Sequence, residues 1–201
     1  MLFTLFKGFI TGAGLIMAIG AQNAFVIRQG LLRNHLFLTA LICSLVDAFL
    51  IVLGVLGFGK ILALYPIVIS LAKFFAVIFL FIYGAFSLKS AFRERSVSGS
   101  GELTSLRGTV LMLLGLSLFN PHVYLDTVIL LGSIAAQVPA SLQCYFTLGA
   151  IVASFSWFFS LTYGSKLLSR FLQNPKIWQY IDVLIALMMW AIALMLMNLS
   201  L

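Results

Sequence analysis

Charge is what this chain has least of. Of its 201 residues only 8% are charged while 63% are hydrophobic, and the mean hydropathy is +1.17. A soluble domain carries about 25% charged and about 45–50% apolar residues. A soluble body of this size could not cover itself with so little polar surface, so an ordinary cytosolic enzyme is excluded. A disordered chain is excluded too, because it needs low hydrophobicity. The solvent has to be a bilayer. Acidic residues are scarcer still: Asp47, Glu94, Glu102, Asp126 and Asp182 are the whole set. With His35, His122, Cys43 and Cys144 they complete the chemically versatile inventory. So few reactive groups argue against an enzyme and imply no cofactor. Both cysteines lie in apolar stretches and read as buried free thiols rather than a disulfide framework. The formal charge of +7 is spread between apolar blocks with no basic run. It therefore reads as a topology signal, with no nucleic-acid partner expected.

A spanning helix needs roughly 20 apolar residues, to cover about 30 Å of hydrocarbon at 1.5 Å per residue. Stretches of that kind run over 8–27, 36–58, 66–88, 108–135, 142–164 and 179–198, the fourth and fifth separated by the turn Gln137-Val-Pro-Ala-Ser141. Ala18-Ile-Gly20 has the small-residue spacing of a signal-peptide cleavage site. The apolar leader Met1-Leu-Phe-Thr-Leu-Phe and the apolar residues beyond the site favour an uncleaved first span.

Positive residues divide unequally between the two sides. Arg28 and Arg33, then Lys89, Arg93, Arg95 and Arg107, then Lys166, Arg170 and Lys176 follow the first, third and fifth spans. By the positive-inside rule these nine face the cytoplasm and both termini face the periplasm. The longest loop holds the flexible run Ser96-Val-Ser-Gly-Ser-Gly101. It divides the chain into residues 1–92, a linker 93–107, and residues 108–201. Three helices per half turn the second half upside down relative to the first. The expected fold is thus an all-α polytopic membrane protein with six transmembrane helices as two inverted three-helix repeats. Such repeats underlie many transporters, with the substrate site near the midplane where the halves meet.

Polar residues inside the apolar spans mark where that site lies. The first span carries Gly20-Ala-Gln22-Asn23-Ala-Phe-Val-Ile-Arg-Gln-Gly30, and the fourth carries Asn120-Pro121-His122-Val-Tyr124-Leu-Asp126. Asn23 and Asn120 stand 97 residues apart, about half the chain. Pro121 lacks a backbone donor and crowds the preceding turn, so a kink or unwinding is expected there. A packing kink is the plain explanation. A broken helix would instead present N–H groups to a carboxylate and C=O groups to a cation, which suits an amino acid. His122 and Asp126, four residues apart, share a helix face and can form a hydrogen bond or proton relay. One His and one Asp make no complete metal site. Asp47 lies at midplane depth, where an aspartate costs about 2.5–3.5 kcal/mol on insertion scales. It needs either a water-filled cavity or a structural partner such as Lys73 or an asparagine. Asp182, near Trp178 and Tyr180, reads as interfacial. Gly8 and Gly12 have the spacing of close helix packing.

At those two motifs the chain resembles the lysine/arginine exporter family of bacterial inner membranes. The resemblance extends over essentially the whole length and includes Asp47 in the second helix. It implies export of basic amino acids, inverted repeats and homodimers, with Gln22, Asn23, Asn120, Pro121 and Asp126 as functional positions. The expected site is therefore Gln22, Asn23, Asp47, Asn120, Pro121, His122, Tyr124 and Asp126, with Asp47 and Asp126 coupling protons to the substrate. Two other readings stay open. One is export of a neutral amino acid or a metal cation on the same fold. The other is a transmembrane thiol-disulfide carrier using Cys43 and Cys144.

Overall fold

The computed structural model describes residues 1–17, 20–58, 66–92, 104–118, 123–169 and 175–198. Among them every regular element is helical and no strand occurs. In chain order these are α1 (Leu2–Ile16), α2 (Ala21–Leu32), α3 (Leu36–Leu53), α4 (Pro66–Ala91), α5 (Leu106–Leu118), α6 (Leu131–Ala136), α7 (Ala140–Leu168) and α8 (Pro175–Asn198). A wide turn over Gly54–Phe58, kinked at Gly57 (φ 92°), follows α3, and a π-helical turn over Tyr124–Leu130 precedes α6. Leu36–Gly57 and Ala140–Leu168 are long and apolar enough to cross a membrane. They correspond to the second and fifth expected spans.

The first span differs from its expected form. Residues 8–27 read as one helix, but the chain bends by 87° between α1 and α2. Taken as one, the bent pair makes a third, broken span. The second piece starts after Gly20, whose backbone is extended (φ −132°, ψ 178°). Glycine is among the poorest helix formers, and the polar Gln22 and Asn23 follow directly, so the break falls there. The kink expected at Asn120-Pro121 lies outside the described residues, as does His122. On its near side α5 ends at Leu118.

Helix α7 is the centre of the packing, lying against α1, α2 and α3. Gly8 and Gly12 of α1 face the backbone of Phe146 and Ala150, and Gly149 of α7 faces the backbone of Leu5 and Phe9. A methyl group added at Gly12 would stand 3.0 Å from Ala150 Cα. In lipid, burying apolar surface gains little, so backbone-to-backbone contact of this kind supplies the attraction. Helix α4 packs along α8, where Gly84 receives the Trp190 indole, and Trp190 Nε1 donates to the Phe81 carbonyl at 3.3 Å. Phe25, Tyr83, Leu113, Leu116, Phe158 and Met189 belong to the main apolar core between these layers.

Three side chains correct the expectations from sequence. Arg28, read as a loop charge, sits inside α2 and is buried, and Asp182, read as interfacial, is 0% exposed on α8. They pair, Arg28 Nε to Asp182 Oδ1 at 3.3 Å. Ser90 donates to Asp182 Oδ2 at 2.9 Å and Ser87 to the Asp182 carbonyl at 3.0 Å. Two opposite charges far apart in sequence satisfy each other, so neither needs the headgroup region. Cys43 is buried as expected, but Cys144 is exposed at the start of α7.

Candidate functional site

The bend between α1 and α2 exposes a fresh helix start inside the molecule. Gly20 caps α2 without a side-chain hydrogen bond, and the first intrahelical bond there runs from Ala24 N to Gly20 O at 3.1 Å. The opening N–H groups of any helix lack partners within it and carry the positive end of the helix dipole. Here they border a cavity of about 300 Å³. Gly20, Ala21, Gln22 and Asn23 line it from α2, Asp47 from α3, and Asp126 and Thr127 from the π-helical turn. Phe158 of α7 and Ile192 and Met195 of α8 form its apolar walls.

Asp47 and Asn23 are each held by a specific neighbour. Asp47 is buried and accepts a hydrogen bond from Ser154 Oγ at 3.0 Å. Asn23 donates to the Ile16 carbonyl across the helix break at 3.4 Å, and accepts from Trp157 Nε1 at 3.3 Å. It thus ties the end of α1 to α7. Gln22 is buried beside the Cys43 thiol, and among the described residues its Nε2 makes no other hydrogen bond, so this donor can turn to a ligand. Asp126 enters through local geometry: its carbonyl takes the Leu131 N–H in an i to i+5 bond. Such wide turns occur often at functional sites.

The structure therefore brings Gln22, Asn23, Asp47 and Asp126 to one cavity, four of the eight residues singled out from sequence. Asn120, Pro121 and His122 lie outside the described residues. Tyr124 goes elsewhere, donating its hydroxyl to the Leu118 carbonyl at 2.8 Å. Ser154, Trp157 and Thr127 escaped the reading of the sequence. Only their polarity within apolar helices marked them, and that signal is common to many residues that merely bond their own helix. The alternative structural partner for Asp47 in the sequence was Lys73 or an asparagine; the Lys73 side chain lies outside the described residues, and the partner found among those described is a serine on α7. Chemically the cavity offers two carboxylates, a side-chain amide and the positive end of a helix. It can hold one carboxylate ligand group and one or more cationic groups at once.

Comparison with known proteins supplies the family. The sequence pattern of the LysE type translocator matches residues 13–200. A protein of Aeromonas salmonicida named "Putative amino-acid transporter YggA" is 41% identical over 198 residues, which is 98% of this chain and 96% of that one. The "Arginine exporter protein ArgO" of Salmonella newport (strain SL254) is 38% identical, covering 94% of this chain and 90% of its own. The protein of the same name from Pectobacterium carotovorum subsp. carotovorum (strain PC1) is 35% identical, covering 94% of each chain. No solved structure matches. A family match over nearly the whole length, and relatives this similar, mean that the chain belongs to the LysE type translocator family, which are transporters rather than enzymes.

Proposed function

We propose that this protein is a secondary active exporter of basic L-amino acids, lysine or arginine, in the bacterial inner membrane, working by proton antiport and alternating access. The observation that carries this reading is the meeting of Asp47 and Asp126 with the start of α2 at one cavity. In a chain with five acidic residues, two on the lining of one cavity, Asp47 buried and Asp126 half-buried, suit a cationic ligand. The α-carboxylate of the substrate faces the N–H groups of α2 and the donor of Gln22. Its ammonium or guanidinium groups face the two carboxylates. The names of the relatives favour arginine.

Coupling follows from charge. A monocation leaving the cell moves against a negative-inside potential worth about 2.3 kcal/mol per 100 mV. Exchange for one incoming proton cancels that cost. A carboxylate that holds either the substrate cation or a proton, but not both, makes the exchange obligatory. Alternating access is supported by the pairing pattern of the helices. Exchanging the chain halves turns α1 against α7 into α5 against α3, and both pairings are present. The same exchange leaves the α4–α8 and α3–α7 pairings unchanged, and both of these also occur. This is the pattern inverted repeats produce. Even with Arg28 assigned to α2, the surplus of positive charge after the first, third and fifth spans supports a cytoplasmic side for those loops and a periplasmic side for both termini.

Proteoliposomes preloaded with radiolabelled arginine or lysine test the reading. Efflux should accelerate when protons are driven inward, and an Asp47→Asn, Asp126→Asn variant should lose that acceleration while remaining folded. Wild-type uphill export by that variant would remove the two carboxylates from the mechanism. Efflux of neither amino acid, from protein shown to be folded, would remove the substrate assignment.

A further inference from the structure

Helix α2 borders two cavities of opposite charge. Its first turn lines the carboxylate cavity, while Phe25 and Arg28, further along, line a second one of about 870 Å³. Among the described residues Arg28 and Lys89 are the charged groups on the wall of this second cavity, with Ser87 and Ser90 beside them and Tyr83 and Phe86 as aromatic faces. Buried Phe25, in edge contact with Tyr83 at 6.0 Å between ring centroids, is part of the core beside it.

Arg28 is set there with care for its direction. It is 8% exposed, and its Nε is tied to Asp182, which Ser90 holds in turn. A guanidinium carries five N–H donors in a rigid plane, more than one carboxylate can engage. An arginine anchored through Nε has the fork geometry to take a second carboxylate in a bidentate grip. The aromatic faces suit the aliphatic stem and cationic head of a long side chain.

We propose that this cavity is a second amino-acid site, in which Arg28 takes the α-carboxylate of the substrate before it passes along α2 to the carboxylate cavity. The inference rests on the exporter reading above, which puts Arg28 on the cytoplasmic side, where substrate arrives. Recognition is then divided between the two sites. The Arg28 site selects the amino-acid end, and the Asp47–Asp126 site selects the cationic chain. A polyamine lacking the carboxylate satisfies the second test but fails the first.

Equilibrium dialysis of radiolabelled arginine against the purified full-length protein decides it. The wild type should bind two arginines per chain. Agmatine, which is arginine without its carboxylate, should displace one of them. An Arg28→Gln, Asp182→Asn variant removes both buried charges together and should keep only the agmatine-sensitive arginine. An Asp47→Asn, Asp126→Asn variant should keep only the agmatine-resistant one. Arg28→Lys retains the charge but not the fork, and should weaken the agmatine-resistant class at least tenfold. If the double Arg28 variant does not fold, this variant and the agmatine competition carry the decision. One arginine per chain, lost with the two carboxylates and indifferent to Arg28, would overturn the second site and leave the exporter reading standing. Displacement of the agmatine-resistant arginine by inorganic phosphate at equal ionic strength would make the site a general anion site and overturn the proposal. Neither arginine nor lysine bound by folded wild type, each tested as its own radiolabelled ligand, would overturn the exporter reading and this inference together.

Discussion

Asp47 and Asp182 are both buried carboxylates, yet the groups around them are different. Asp182 has a full cationic partner in Arg28 and hydroxyl support from Ser90, so its charge is neutralised within the protein. Asp47 has the hydroxyl of Ser154 and faces a cavity. The Asp182 carboxylate is thus closed to a ligand, whereas the Asp47 carboxylate faces space that one can enter. Removing one partner of a buried ion pair costs about 3–5 kcal/mol, whereas replacing both by neutral groups is often close to neutral. Arg28→Gln alone should therefore lower the melting temperature in detergent markedly, and adding Asp182→Asn should restore most of it. Ser154→Ala should leave the fold intact and reduce export, with Ser154→Thr recovering it, because the hydroxyl orients the Asp47 carboxylate. Export rates in proteoliposomes check this. At this scale the sequence was informative about cost but silent about partners. An aspartate in an apolar helix announces that something must satisfy it. Whether that is an arginine 154 positions away or a serine 107 positions away depends on which helices meet.

At the scale of elements, interrupted helices and glycine contacts define the architecture. The chain bends between α1 and α2 before Ala21, and a π-helical turn over Tyr124–Leu130 lies beyond the end of α5. Polar motifs made both places visible, although the break itself was expected at the proline motif. Proline declares its effect on a helix through its ring. The break at Gly20 needs the packing of α2 against α7 to stabilise it. Gly30 is part of that packing, since a methyl group there would come within 2.6 Å of the Thr162 carbonyl. Glycines in one helix should consequently differ in their tolerance. Gly8→Ala places a methyl group against the Phe146 backbone, so α1 and α7 must separate, at a cost of about 1–3 kcal/mol by analogy with overpacked cores. Gly14→Ala meets open space and should be neutral or stabilising by up to about 1 kcal/mol from helix propensity. Thermal denaturation of the two variants side by side measures the difference.

For the whole molecule, orientation and the two thiols can be tested in one background. Replacing Cys43 and Cys144 with alanine should leave export at the wild-type level, because one thiol is buried and the other is on the surface. Loss of activity with retained folding would instead favour thiol chemistry. In that background, Ser98→Cys places a single thiol in the linker. It should resist membrane-impermeant maleimide applied outside intact cells and react once the membrane is opened. Labelling from outside would invert the topology and the direction assigned to each cavity.

Composition by itself determined the solvent of this protein. With 8% charged residues no aqueous fold is available, and helices follow because a backbone in hydrocarbon must satisfy its own hydrogen bonds. Polar residues within apolar spans also put Asn23, Asp47 and Asp126 forward as site residues, since each is costly in lipid unless it has a task, and the resemblance to the exporter family added Gln22. Tertiary structure decided how those tasks are divided. It buried Arg28 against Asp182, turned Tyr124 to a backbone carbonyl, and set Ser154 on Asp47. The reason is physical: the cost of burying a polar group is local and can be read residue by residue. What compensates that cost is a neighbour in space, and close contact between distant helices chooses the neighbour.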